Sequence, residues 1–140
     1  MSETPHPKYP RLFSELRIGA ITLKNRIVLP PMATNMEITG KRLRAFLVER
    51  AKGGAGTIIT QGTWVEHFAD SGFCREIGRL AEALHEHGAA AVVQLFKAPR
   101  FGDEEVWVSA DEARRAAATA EVETIPGLFA QAARACMEAG

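Results

Sequence analysis

The sequence has little with which to hold a polyanion or enter a membrane. Its 140 residues carry 17 basic and 17 acidic side chains, so the formal net charge is zero. No global field then recruits nucleic acid or an anionic surface. No run approaches the ~18 uncharged apolar residues of a membrane-spanning helix. The opening MSETPHPKYPRLF lacks a basic start followed by a long apolar stretch, so no secretory leader is expected and the cytoplasm is the expected compartment. Cysteine is scarce. Cys74 and Cys136 stand far apart in helix-like patterns and read as free thiols of a reducing compartment, with a disulfide or metal pair as the lesser alternative. What is present is ordinary for a globular chain: 46% of residues are apolar and 24% charged, enough for one domain's worth of core over residues 1–140.

The stretch Leu23–Asn35, LKNRIVLPPMATN, organises the rest. Ile27, Val28 and Leu29 form a continuous apolar run without alternation, which predicts a strand buried on both faces, as in a parallel α/β sheet. Pro30 and Pro31 cannot donate to a ladder, so the strand must stop there. Small or soft residues follow at what would be the strand's carboxyl end, the side on which α/β folds bind ligands. Upstream, LRI and ITL flank Gly19-Ala20 and predict a hairpin. Downstream, Leu43, Phe46, Leu47 and Ala51 recur at helical spacing over Gly40–Lys52, and Gly53-Gly54 ends that helix. Thr57–Thr60 predicts a second strand closed by Gly62, and Trp64–Ser71 a loop. Phe73–His87 predicts a second helix stopped by Gly88, and Ala89–Phe96 a third buried strand. Lys97–Val108 reads as an irregular loop. Ser109-Ala110-Asp111-Glu112 reads as a capping box opening a short helix, and Thr124 as the cap of a last helix.

The order is βαβαβ with short connections, which requires helical crossovers and a parallel sheet. Three such strands leave two apolar edges unpaired, and no charge or proline inside Ala89–Phe96 blunts them. Gly140 stands where a helix cap belongs, with a fourth strand due next. The chain therefore reads as part of a larger fold, or as one that completes itself by association through its strand edges.

Individual polar residues have plain readings. His85 and His87 are two apart on a helix, face different directions and make no metal pair; a histidine near a helix C-terminus instead favours the helix dipole. Gly53-Gly54-Ala55-Gly56 follows a helix and precedes a strand, the reverse of a phosphate-binding loop. Lys97 and Arg100 read either as attractors of an anionic substrate or as solvated loop residues. His67 and Cys74, near the second loop, read as surface residues, with a place facing a site as the lesser alternative.

Four blocks, taken in order, resemble one family. LFSELRIGAITLKNRIVLPPMATN, ERAKGGAGTIITQGTWV, RLAEALHEHGAAAVVQLFKAPR and IPGLFAQAARACMEAG are similar to the N-terminal part of the Old Yellow Enzyme family of FMN-dependent oxidoreductases (NADH:flavin oxidoreductases, enoate and 2,4-dienoyl-CoA reductases). The resemblance implies an α/β fold: the N-terminal hairpin and first three βα units of a TIM (β/α)8 barrel, a truncated or partial barrel. It implies FMN across the carboxyl ends of the strands, with NADH or NADPH as reductant and an enone or enoyl compound as substrate. By resemblance Pro31, Met32 and Ala33 contact the flavin ring from strand one, Gly62 lets it approach the second strand, and Gln94 hydrogen-bonds the pyrimidine edge. A glutamine amide offers both the donor and the acceptor that such an edge requires, and glycine admits a flat ring close to the backbone.

The chain also departs from that pattern. Ala33 occupies a position that often holds Thr or Cys in the family, although Thr34 is its neighbour. Lys97-Ala98-Pro99-Arg100 replaces the family's usual His-Ala-Gly-Arg. The family's substrate-anchoring pair, its catalytic tyrosine and its phosphate-binding strands come later than these 140 residues, so no catalytic residue and no metal ligand is assigned. The alternatives to a segment of an FMN-dependent oxidoreductase are a non-catalytic truncated or degenerate fragment and a half-barrel subunit that needs a partner chain.

Overall fold

The computed structural model describes residues 8–97, 100–101, 104–105 and 119–140. Strands β1 (Leu16–Ile18) and β2 (Ile21–Leu23) form the antiparallel hairpin that LRI-GA-ITL predicts, with Gly19 at φ 57° in its turn. β3 (Val28–Leu29), β4 (Thr57–Ile59) and β6 (Ala90–Val92) form a parallel sheet in the order β3-β4-β6. Val28 is in register with Thr57, and Ile58 with Ala91. Helix α1 (Lys41–Lys52) crosses from β3 to β4, and α2 (Ser71–His85) leads to β6.

The strands are less regular than the sequence suggests: the run expected as one strand over Ala89–Phe96 is broken in two, and a further short strand follows Gly62. β5 (Thr63–Trp64) continues β4, and β7 (Leu95–Phe96) continues β6, as a second parallel pair. Trp64–Ser71, expected as a loop, contains the end of β5, a 3-10 helix over Val65–Ala69 and the first residue of α2. A small hairpin, β8 (Arg100–Phe101) with β9 (Glu104–Glu105), lies within the stretch expected to be irregular. The last helix, α3 (Thr119–Ala139), begins before Thr124 and carries Pro126 inside it, so Thr124 is an interior residue and not a cap. The expected capping box at 109–112 lies outside the described residues.

Apolar spacing explains the core. Leu43, Leu47 and Ala51 from α1 meet Leu80 and Leu84 from α2 over Ile58, Ala55 and Ala89, and Ile27, Leu29 and Ala91 pack against this cluster. Leu43, Ile58 and Leu84 are fully buried, each a contribution of about 1.5–3 kcal/mol. The helices cover one face of the sheet. On the other, Val28 is 46% and Val92 40% exposed. The expectation that Ile27–Leu29 is buried on both faces is thus corrected: Val28 is exposed at the edge of the second face, where Thr57 of the central strand is buried. A second cluster of Val65, Phe68, Ile77 and Ala132 joins the 3-10 helix, α2 and α3.

The amino end of the sheet is locked by the polar lead-in to β3. Asn25 is 6% exposed. Its Nδ2 donates to the Gly54 carbonyl at 2.8 Å, and its Oδ1 accepts from the Ile27 N–H at 3.0 Å. A Cβ at Gly56 would fall 2.4 Å from that Oδ1 and 2.8 Å from the Asn25 carbonyl, so only glycine fits. Lys24 Nζ donates to the His87 carbonyl at 2.6 Å, just past the end of α2. Gly54 (φ 104°) and Gly88 (φ 65°) supply the turns into β4 and β6. Among the described residues, no helix is long and apolar enough to cross a membrane.

Candidate functional site

The site follows from a mismatch in the ladder. Ile59 pairs with Val92 and Thr63 with Leu95, so three residues on one strand oppose two on the other. The extra residue is a β-bulge, a device that re-aims side chains at the rims of barrels and sheets. Three bonds hold it. The Thr60 N–H donates to the Val92 carbonyl at 2.9 Å, the Thr63 N–H to the Gln94 carbonyl at 2.8 Å, and the Gln94 N–H to Thr60 Oγ1 at 3.3 Å. Gly62 and Gln94 face one another across the bulge. Gln94 Oε1 is 3.6 Å, and Phe96 Cβ 3.5 Å, from where a Cβ on Gly62 would stand. Both residues are exposed at the carboxyl end of the strands.

Among the described residues, neither the Gln94 carboxamide nor the bare Cα of Gly62 is required by the packing. Gly62 lacks the positive φ that marks Gly19, Gly54 and Gly88, and a Cβ there would meet only ordinary contacts. Nothing in the chain's own packing demands glycine at this position. Gln94 uses its backbone groups in the bulge, while its carboxamide has no hydrogen-bond partner among the described residues. A donor and an acceptor therefore stand free beside bare backbone, which suits a flat heterocycle carrying both kinds of group on one edge. On these grounds the residues present fit a flavin.

Pro31, Met32 and Ala33 follow β3 at the same end of the sheet, on the far side of β4 from Gln94. Met32 and Ala33 are exposed and Pro31 is half-buried. A residue missed in the sequence ties this segment to the bulge. Gln61 Oε1 accepts from Thr34 Oγ1 at 2.6 Å and from the Thr34 N–H at 3.3 Å, and its Nε2 donates to the Met36 carbonyl at 2.8 Å. The Met36 N–H donates back to Thr34 Oγ1 at 3.3 Å. The Thr34 hydroxyl is thereby committed to the loop and does not replace the side chain that Ala33 lacks. Trp64 and Phe96 form an edge-to-face pair, ring centroids 4.8 Å apart, beside Gly62.

The other candidate groups resolve differently. Lys97 pairs with Glu66 of the 3-10 helix, and its side chain is only 11% exposed, so it is an internal ion pair and not an attractor of substrate. The Arg100 side chain lies outside the described residues. His67 is exposed, with its ring tilted against Phe73 at a centroid distance of 5.1 Å. Cys74 and Cys136 are free and half-buried. A cavity of about 700 Å³ opens between α2 and α3, lined by Phe68, Cys74, Arg75, Arg79, Arg134 and Glu138 among others; none of the five candidate residues lines it. Among the described residues, no group of three or more His, Cys, Asp or Glu is arranged to hold a metal.

Comparison with known proteins shows the family and the fold. Residues 11–140 match the model of the NADH:flavin oxidoreductase / NADH oxidase family. An NADH oxidase of Thermoanaerobacter brockii is 37% identical over 107 residues, covering 66% of this chain and 16% of that protein. In solved structures, 6-hydroxypseudooxynicotine amine oxidase from Pseudomonas geniculata superposes with a TM-score of 0.81 at 24% identity, over 98% of this chain and 24% of that one. Old Yellow Enzyme from Pichia sp. superposes with a TM-score of 0.74 at 19% identity, over 91% of this chain and 43% of that one. Both are TIM-barrel enzymes, and the likeness shows the fold. The chain spans less than half the length of each of these proteins.

Proposed function

This chain belongs to the NADH:flavin oxidoreductase / NADH oxidase family, and on that premise we propose that residues 1–140 are the N-terminal segment of an FMN-binding TIM-barrel oxidoreductase: its hairpin and first three βα units. Bound FMN would supply hydride transfer from NADH or NADPH to an activated alkene such as an enone or enoyl compound. The chain's part is to hold the ring. Gln94 presents its free carboxamide to the pyrimidine edge, donating through Nε2 and accepting through Oε1. Gly62 leaves the backbone bare so that the ring lies against it. Pro31, Met32 and Ala33 wall the opposite side. The Gln61–Thr34–Met36 bonds fix that wall relative to the bulge and remove its freedom before any ligand arrives, which lowers the cost of binding. We assign none of these residues to the substrate proton, which the family resemblance gives to later strands.

The observation that carries this reading is the uncommitted carboxamide of Gln94 facing Gly62 across the bulge. Size-exclusion chromatography of the chain with FMN, monitored at the flavin band, tests it. Flavin should co-elute with the protein, and Gln94→Leu should weaken its retention. Equal retention by the variant would sink the assignment of Gln94. The 140 residues alone should show little NAD(P)H-dependent enone reduction; robust turnover would place the proton donor within them.

A second reading has its own support. β3 and β6 each pair on one side only among the described residues, and Val28 and Val92 are exposed on them. A second copy, or a chain supplying further strands, would cover both. The same column reads the oligomeric state, and a monomer at high concentration would exclude self-pairing.

A further inference from the structure

We propose that the Lys97–Glu66 ion pair is the positioning device of the flavin site: it holds the ends of β5 and β7 together and so keeps Gln94 facing Gly62. This inference rests on the flavin reading of that site. The bulge interrupts the ladder after Ile59 and Val92. Beyond it β5 and β7 share two residue pairs, Thr63 with Leu95 and Trp64 with Phe96. So short a pair is weak by itself, because a two-stranded unit needs further packing to persist in water. Gly62 stands one residue before β5 and Gln94 one residue before β7, so their mutual placement depends on this short pair as well as on the bulge. Side chains supply what the backbone lacks. The rings of Trp64 and Phe96 meet edge to face, centroids 4.8 Å apart. Just past them the strands end, and Lys97 Nζ reaches Glu66 of the 3-10 helix. The order along the two segments is bulge, backbone pairs, ring pair, ion pair.

Burial gives the ion pair its grip. The Lys97 side chain is 11% exposed and that of Glu66 36%, both well below the Lys52–Glu49 pair on α1. Lower exposure means a lower local dielectric and less screening by salt, so the two charges hold one another more firmly than a surface pair does. The Lys52–Glu49 and Arg79–Glu76 pairs each join residues three apart on one helix. Lys97–Glu66 instead joins the segments that follow two neighbouring strands, which is what fixing their separation requires. Lysine also stands where the resembled family usually carries histidine, so this device is a feature of this chain. Lys97 acts through the strand ends and does not meet the ligand itself.

The test uses the full chain carrying Trp107→Phe, which leaves Trp64 as its one tryptophan. It reads Trp64 emission, melting temperature and FMN affinity. Lys97→Met takes the ammonium away from Glu66. Trp64 emission should then move to longer wavelength as the ring pair loosens into water, and the melting temperature should fall. FMN affinity should drop about fivefold, because the ligand must now order the strand ends on binding. Lys97→Met combined with Glu66→Leu removes both charges. Its melting temperature should return to the parent's, while emission and FMN affinity stay as in the single variant. Lys97→Arg keeps the ion pair and should bind FMN within about twofold of the parent. Affinity that recovers together with the melting temperature in the double variant would make the pair a general stabiliser and overturn the proposal. Unchanged emission in Lys97→Met would overturn it too. A parent chain that takes up no FMN would defeat the flavin reading separately, and Trp64 emission, read without flavin, would still decide whether the ion pair holds the strand ends.

Discussion

At the amino end of the β3–β4–β6 sheet, Lys24 and Asn25 commit their side chains to the chain's own carbonyls, and Gly56 is there because nothing larger fits. At the carboxyl end, Gln94 leaves its carboxamide uncommitted, and Gly62 is there although a larger residue would fit. The same two residue types, a side-chain amide and a glycine, thus appear at both ends with opposite relations to their surroundings. A buried amide left unmatched costs about 1–3 kcal/mol, so at the closed end it must be satisfied internally. At the open end solvent or a ligand satisfies it. What separates the two ends is therefore whether a group's partners are already within the described chain, not its chemical type.

The sharpest way to break this comparison is Gly56→Ala, which drives a methyl into Asn25 and should destabilise the chain by about 3 kcal/mol or more. A denaturation midpoint reads it, and a neutral result would mean that the amino end is not tight. Asn25→Leu comes next: the Gly54 carbonyl and Ile27 N–H lose their partner, with an expected loss of about 2 kcal/mol in the same measurement. Gln94→Leu should behave in the opposite sense. Stability should hold within about 0.5 kcal/mol, as for a surface change, while FMN affinity measured by fluorescence titration falls about tenfold, or 1.4 kcal/mol. The smallest effect is expected for Gln61→Leu, which frees Thr34 and the Met36 carbonyl and should weaken FMN binding by a few-fold, about 1 kcal/mol. An effect as large as that of Gln94→Leu would show that Gln61 itself meets the ligand.

Much of the fold was legible because its signals are local. The hairpin around Gly19, the apolar stripe of α1 and the glycine stops at Gly54 and Gly88 each lie within a few residues. The bulge was not legible. AAAVVQLF is one unbroken apolar run but for Gln94, and nothing in it announces a break between β6 and β7. The break is imposed from the neighbouring strand, where Thr60–Gly62 contributes the extra residue. Gln61 was missed for a similar reason: its partner Thr34 is 27 residues away. The start of α3 was misplaced because Thr124 followed by Ile125 and Pro126 imitates a helix opening, with proline in the first turn. The five candidate residues came from the family resemblance. The structure adds that, among the described residues, the Gln94 carboxamide makes no hydrogen bond and a Cβ on Gly62 would meet only ordinary contacts.

The Lys24 bond to His87 has a consequence for how the chain comes into being. Its partners are 63 residues apart, and those of Asn25 and Gly54 are 29 apart. Doubling a loop adds only about 0.6 kcal/mol of closure entropy, so separation alone hardly weakens the longer link. Timing differs far more. At roughly 5–20 residues per second, about 3–13 s pass on the ribosome between the making of Lys24 and of His87. The first hairpin and its basic lead-in must wait through that interval with the lysine unanchored. The closed end of the sheet is thus completed only by residues that emerge just ahead of the strand carrying Gln94.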